Sequence, residues 1–123
     1  VAGTDDCLFG FRKVEAFQAN VDDYDEMAAL NLLSGNVKSE TILNGAATST
    51  SATLKAVANA TSVKLGIFVA QSGAVTIEID GVAATDPSFT FDNGEVVTPF
   101  FYQLQASGAQ TVIILEKLTV GRQ

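Results

Sequence analysis

Ser62-Val-Lys-Leu-Gly-Ile-Phe-Val-Ala70 and Ala74-Val-Thr-Ile-Glu-Ile-Asp80 are the two stretches whose reading decides the fold. In an extended chain successive side chains point to opposite faces. Val63, Leu65, Ile67 and Val69 therefore share one side of the first stretch, with Lys64, Gly66 and Phe68 opposite. In the second, Val75, Ile77 and Ile79 face one way and Thr76, Glu78 and Asp80 the other. Period-two alternation of this kind predicts half-buried β-strands. Three more segments follow the same rule: residues 88–92, with Phe89 and Phe91 on one face, residues 96–105, and residues 110–118. Ser72-Gly73, Asp80-Gly81, Asn93-Gly94 and Ser107-Gly108 lie between them, and each dipeptide can supply the positive φ of a tight turn. Regular short strands separated by such turns predict an all-β sandwich or barrel.

Phe100, Tyr102 and Leu104 form an inward set, and Phe101 points the opposite way. Val112-Ile-Ile-Leu115 is apolar on both faces, which fits a central strand or one covered by a neighbouring subunit. Pro99 cannot donate to a ladder, so it marks an edge or a bulge. Phe101, Val112 and Ile114 are accordingly the expected oligomer interface.

Upstream, residues 37–43 read as a strand ending in the Asn44-Gly45 turn, and residues 53–58 as a short strand. Residues 1–36 differ in character and are expected to be an N-terminal arm and short helix, distinct from a β-domain over 37–123. Half of the fourteen acidic residues lie there, with three of the eight phenylalanines. Leu8-Phe9-Gly10-Phe11 is too short and Gly-interrupted to form a core of its own. It is expected either to lie as an extended arm on another surface or to supply an edge strand to its own sheet. Leu8, Phe9, Phe11, Val14 and Phe17 are the candidate partner-binding anchors. Residues 20–33 are the best helix candidate. Asn20 or Asp22 can cap it, Asp22, Asp23, Asp25 and Glu26 suit its first turn, and Ser34-Gly35 offers a stop.

The 123 residues suffice for one domain with a real core, and 47% of them are hydrophobic. A net charge of −7 with scattered basic residues disfavours nucleic acid and anionic membranes as direct partners. No apolar run is long enough for a membrane span. The acidic start Val-Ala-Gly-Thr-Asp-Asp does not read as a signal peptide. One cysteine, Cys7, allows no intrachain disulfide and is expected to be a small buried hydrophobe. Asn59-Ala60-Thr61 matches a glycosylation acceptor pattern, a short match that arises readily by chance.

The chain has no histidine, which removes the commonest general base, the Ser-His-Asp triad and most zinc sites. It has no Gly-rich phosphate loop. Glu78 and Glu95 are the best-placed pair for glycoside hydrolysis, but two glutamates in an acidic β-protein more often face solvent. The run Asp22-Asp23-Tyr24-Asp25-Glu26 offers oxygen ligands for calcium, yet lacks the EF-hand's glycine and terminal glutamate, and helix capping accounts for it. No catalytic residue, metal or cofactor is therefore expected.

A short acidic N-terminal segment, a compact Ala/Thr/Val-rich β-block and the apolar ending Gln110-Thr-Val-Ile-Ile-Leu-Glu-Lys-Leu-Thr-Val120 together resemble small virion proteins of tailed bacteriophages, above all capsid decoration (cement) proteins. That resemblance implies a jelly-roll-like sandwich, a homotrimer, an N-terminal arm reaching onto a major capsid protein, and a place on the capsid surface. It rests on composition and strand order and carries over no individual residues. An extracellular β-sandwich module binding glycan or protein, adhesin- or pilus-like, is the alternative.

Overall fold

The computed structural model describes residues 6–85, 88–104, 114 and 116–120. Nine strands are found among them: β1 (Cys7–Lys13), β2 (Met27–Leu33), β3 (Asn36–Ile42), β4 (Ser49–Thr50), β5 (Lys55–Ala56), β6 (Leu65–Val69), β7 (Val75–Ile79), β8 (Val82–Ala84) and β9 (Val97–Gln103). The protein is all-β. Its antiparallel strands make a six-stranded sheet in the order β4-β3-β2-β1-β9, with β5 also on β3, and a three-stranded sheet β6-β7-β8. The sheets form a sandwich-like arrangement. The described strands connect as meanders, β1-β2-β3 and β6-β7-β8, so a jelly-roll order is not among the described connections.

The expected helix over residues 20–33 is corrected. Its start signals are real but serve a single 3₁₀ turn, Val21–Asp23, where the Asn20 side chain accepts from the Asp22 N–H at 3.4 Å. Met27–Leu33 then runs as β2, although Ala, Leu and Met are good helix formers. Pairing with both β1 and β3 overrides that local preference. Ser34 and Gly35 are not a helix stop. Both have positive φ, at 49° and 76°, and they form a two-residue hairpin turn between Leu33 and Asn36. Asp80-Gly81 does the same between β7 and β8, with φ of 55° and 80°. There the Asp80 carboxylate accepts from the Lys64 N–H at 2.9 Å and pairs with Lys55 at 2.6 Å, which holds its pKa below the ordinary aspartate value.

The N-terminal arm is corrected as well. β1 lies in the interior of the larger sheet, between β2 and β9, so residues 1–36 are not a unit apart from 37–123. Its glycine makes this possible. A Cβ on Gly10 would collide with the carbonyl oxygen of Ala28 and stand 2.6 Å from the Ala29 Cα. Only a residue without a side chain lets β1 and β2 approach so closely.

Each face of the large sheet has its own cover. Phe9, Phe11, Ala28, Leu30, Val37 and Val97 pack with Leu65, Ile67, Val69, Val75 and Ile77 of the smaller sheet, and with Phe89 and Phe91. Those two rings meet edge-on at 5.0 Å. Residues 88–92 are tied to β7 by the Ala74–Thr90 bridge and the Val75 N–H to Phe89 carbonyl bond of 3.0 Å. On the other face Leu8, Met27, Ala29 and Ile42, with Phe100 and Tyr102, pack under Val21 and Tyr24. The segment 14–26 thus caps the sheet. The Arg12 guanidinium sits 4.7 Å from the Tyr24 ring centroid and donates to the Lys13 and Glu15 carbonyls, while the Tyr102 hydroxyl donates to the Ala19 carbonyl at 3.0 Å.

Two outcomes test this architecture. Gly10→Val should lower unfolding free energy by about 1–3 kcal/mol or more, read by circular dichroism in urea, because backbone has nowhere to yield. Deleting residues 1–17 should abolish cooperative melting, since it removes an interior strand; a truncated chain that still melts cooperatively would refute the central placement of β1.

Candidate assembly surface

Of the five expected partner-binding anchors, three belong to the protein's own core. Leu8 is fully buried, and Phe9 and Phe11 are partly buried against the second sheet. A side chain already packed inside its own sandwich cannot anchor an arm on a neighbour, which corrects that expectation for these three. Val14 and Phe17 are different. Both stand exposed on the capping segment, Phe17 at 74%.

Among the expected interface residues, Phe101 is 54% exposed and Ile114 77%, while Val112 lies outside the described residues. Register explains Phe101. It is paired with Phe9 across β1 and β9, on the face that the second sheet covers, but at the outer margin of that face. Val96, Leu104, Leu118 and Val120 are also exposed. Half of the exposed large apolar side chains among the described residues therefore fall at or after Phe101. Isolated apolar residues on a surface are ordinary; Val96, Phe101 and Leu104 stand out because they lie on or directly beside one strand, β9.

β9 is the end strand of its sheet. The Val14 N–H bonds the Val96 carbonyl at 2.9 Å, and the Leu104 N–H bonds the Asp6 carbonyl at 2.8 Å. In an antiparallel pair bonded and non-bonded positions alternate. Even-numbered residues of β9 thus turn their backbone groups to β1, and Val97, Pro99, Phe101 and Gln103 turn theirs outward. Pro99 sits opposite Phe11 at a position where its missing N–H breaks no bond to β1. The expectation of an edge at Pro99 agrees with this placement.

A polar cluster occupies the other face. Asn31, fully buried, donates from Nδ2 to Asp6 Oδ1 at 2.9 Å and to Glu40 Oε1 at 2.8 Å, and its Oδ1 accepts from the Cys7 N–H at 3.1 Å. Burial pushes the Glu40 carboxyl above its ordinary value; the Asn31 bond opposes this, and Asp6 and Asp22 add to it. Burial also raises the Cys7 thiol, so Cys7 behaves as a small apolar side chain. The lone amide within Met27–Leu33 was the one sequence signal for this network.

The candidate carboxylates are dispersed. Glu78 lies on β7 opposite Ala83, and Glu95 pairs with Lys13 at 3.0 Å. Asp25 shares the same lysine at 2.8 Å, and these two bonds hold the Lys13 ammonium well above its usual range. Among the described residues no group of three or more His, Cys, Asp or Glu could hold a metal ion, and no helix is long and apolar enough to cross a membrane. No protein-family model matches the chain, and comparison with curated proteins and with solved structures finds no match.

The Glu40 environment gives a signed prediction. Its folded pKa is raised, so its stabilising contribution is present below the ordinary value of 4.5 and is lost as pH rises through the folded value. Glu40→Gln keeps an acceptor for Asn31 without a charge. It should stabilise the fold at pH 7 by on the order of 1 kcal/mol and flatten the decline above pH 4.5. Urea titrations across that range check both; a variant less stable at pH 7 than at pH 4 by the wild-type margin would exclude this account.

Proposed function

We propose that this chain is a structural assembly protein of a virion, a β-sandwich that joins copies of itself and fastens to a larger protein lattice such as a capsid. The observation that carries the reading is the exposed apolar flank of β9, at Val96, Phe101 and Leu104, followed along the chain by exposed Ile114, Leu118 and Val120. Interfaces that hold permanent assemblies are the more hydrophobic kind. Support also comes from the absence of histidine and the dispersal of the candidate carboxylates, which leave an assembly role better motivated than catalysis. Attachment falls to this margin and to exposed Val14 and Phe17, because Leu8, Phe9 and Phe11 are committed to the core. The capsid as the specific lattice follows from the resemblance to decoration proteins, as does the trimer.

Light scattering coupled to size exclusion should show a homo-oligomer whose mass is constant on dilution. An antiserum against the purified chain should label virus particles banded from the source material. A monomer at micromolar concentration refutes the self-assembly, and unlabelled particles from a preparation that contains the chain only in soluble form refute the capsid placement.

A further inference from the structure

We infer that the outer edge of β9 receives the C-terminal segment of a second copy as an added strand, with Ile114, Leu118 and Val120 of one chain laid along Phe101 and Val97 of the next. This deepens the assembly reading and rests on it.

The receiving side is the end strand of the larger sheet among the described residues. The N–H and C=O groups of Val97, Phe101 and Gln103 point away from β1, and no described strand pairs with them. Such a row is a template for another strand. It carries an apolar flank, because Phe101 is half exposed beside partly buried Phe9 and Val97.

The donating side is on the page too. In an extended chain Ile114, Glu116, Leu118 and Val120 project to one side, and Lys117 and Thr119 to the other. The three apolar residues of the first set are 59–77% exposed. Their segment forms no strand among the described residues. Among the described residues one hydrogen bond contacts it, from the Ser62 hydroxyl to Glu116 Oε1 at 3.1 Å, and Ser62 precedes β6 in the smaller sheet. An apolar stripe with strand periodicity thus has its described contact at Ser62 and no described pairing with the edge it matches.

Reach and symmetry permit transfer. Nine residues separate Leu104 from Ile114, enough chain to extend about 30 Å. A segment of one copy on the edge of the next is a heterologous contact, which closes into a ring when the rotation allows. A trimer is one such ring. Pro99 limits the register, since a donor strand opposite it gains one bond fewer.

The test uses exposed positions, so that neither substitution empties the core. Phe101→Cys and Ile114→Cys are made in separate, differently tagged copies and co-expressed. A short thiol cross-linker then spans a register offset of a residue, while buried Cys7 stays unreactive. A mixed dimer on a non-reducing gel, absent when either variant is expressed alone, is the expected result. A chain carrying both substitutions serves as the second measurement. If it links only within itself and no mixed dimer forms, the segment covers its own β9 and the exchange is refuted. No link of either kind refutes the contact altogether. Light scattering on the same samples separates the two readings. An oligomer without cross-links sinks the strand addition alone, and a monomer sinks the assembly reading with it.

Discussion

The close approach of β1 to β2 at Gly10 is the contact on which the rest of the structure depends. β1 is flanked on one side by β2 and on the other by β9, so it joins the start of the described chain to its last strand. Side chains on both faces of β1 are used. Leu8 goes into the cluster under the capping segment, Phe9 and Phe11 into the cluster shared with the second sheet. A side chain at Gly10 would separate β1 from β2 and so loosen both clusters at once. Pairing of such high sequence separation requires much chain to be ordered before the contact is rewarded. β2 and β3 close a two-residue turn, whereas β1 and β9 must close a loop of most of the chain, the costlier contact in chain entropy.

Cohesion on the capped face is polar as much as apolar. Arg12 is held over Tyr24, Tyr24 lies 6.0 Å from Phe100, and Tyr102 reaches the Ala19 carbonyl. Glu15 accepts from the Asp25 N–H at 2.9 Å, and on the opposite face Glu26, wholly buried, ties the end of the same segment to the Asp92 N–H at 3.0 Å. Breaking one partner of a buried group leaves its mate desolvated without compensation, so these bonds fix the course of the segment more firmly than their net energies suggest. This is why a stretch rich in acidic residues behaves as part of the fold and not as a solvated arm.

The strands that were legible in the sequence are those specified locally. β6 and β7 alternate cleanly, their inward residues are the ones in the shared core, and Asp80-Gly81 makes the turn its dipeptide predicts. Where the fold departs from the sequence reading, distant partners decide. Met27–Leu33 has the composition of a helix, and only the flanking strands make it extended. Ser34-Gly35 fits a helix end and a hairpin equally well, because both need positive φ. Gly10 looked like an interruption in an apolar run, whereas it is what admits the run to the sheet. Of the candidate surface, parity put Phe101 opposite Phe100 and Tyr102, but its exposure comes from its place at the margin of the covered face it shares with Phe9, which the sequence does not show. The burial of Leu8 was not legible either, since nothing near it in the chain announces β9.

Edge strands require protection, and the two ends of the larger sheet have it in unequal measure. At the β3 end the chain adds β4 and β5, two residues each, with small or charged side chains: Ser49, Thr50, Lys55 and Ala56. Short, polar additions of this kind discourage further pairing. At the β9 end the protection among the described residues is one residue, Pro99, and beyond it Phe101 and Gln103 turn backbone groups away from β1 beside an exposed aromatic ring. A protein that had only to remain monomeric would gain from a lysine at position 101, where a charge would blunt the edge at little cost to the core. Phenylalanine there raises the tendency to associate. The asymmetry between a blunted edge and an apolar one is the physical ground of our proposal that assembly uses β9.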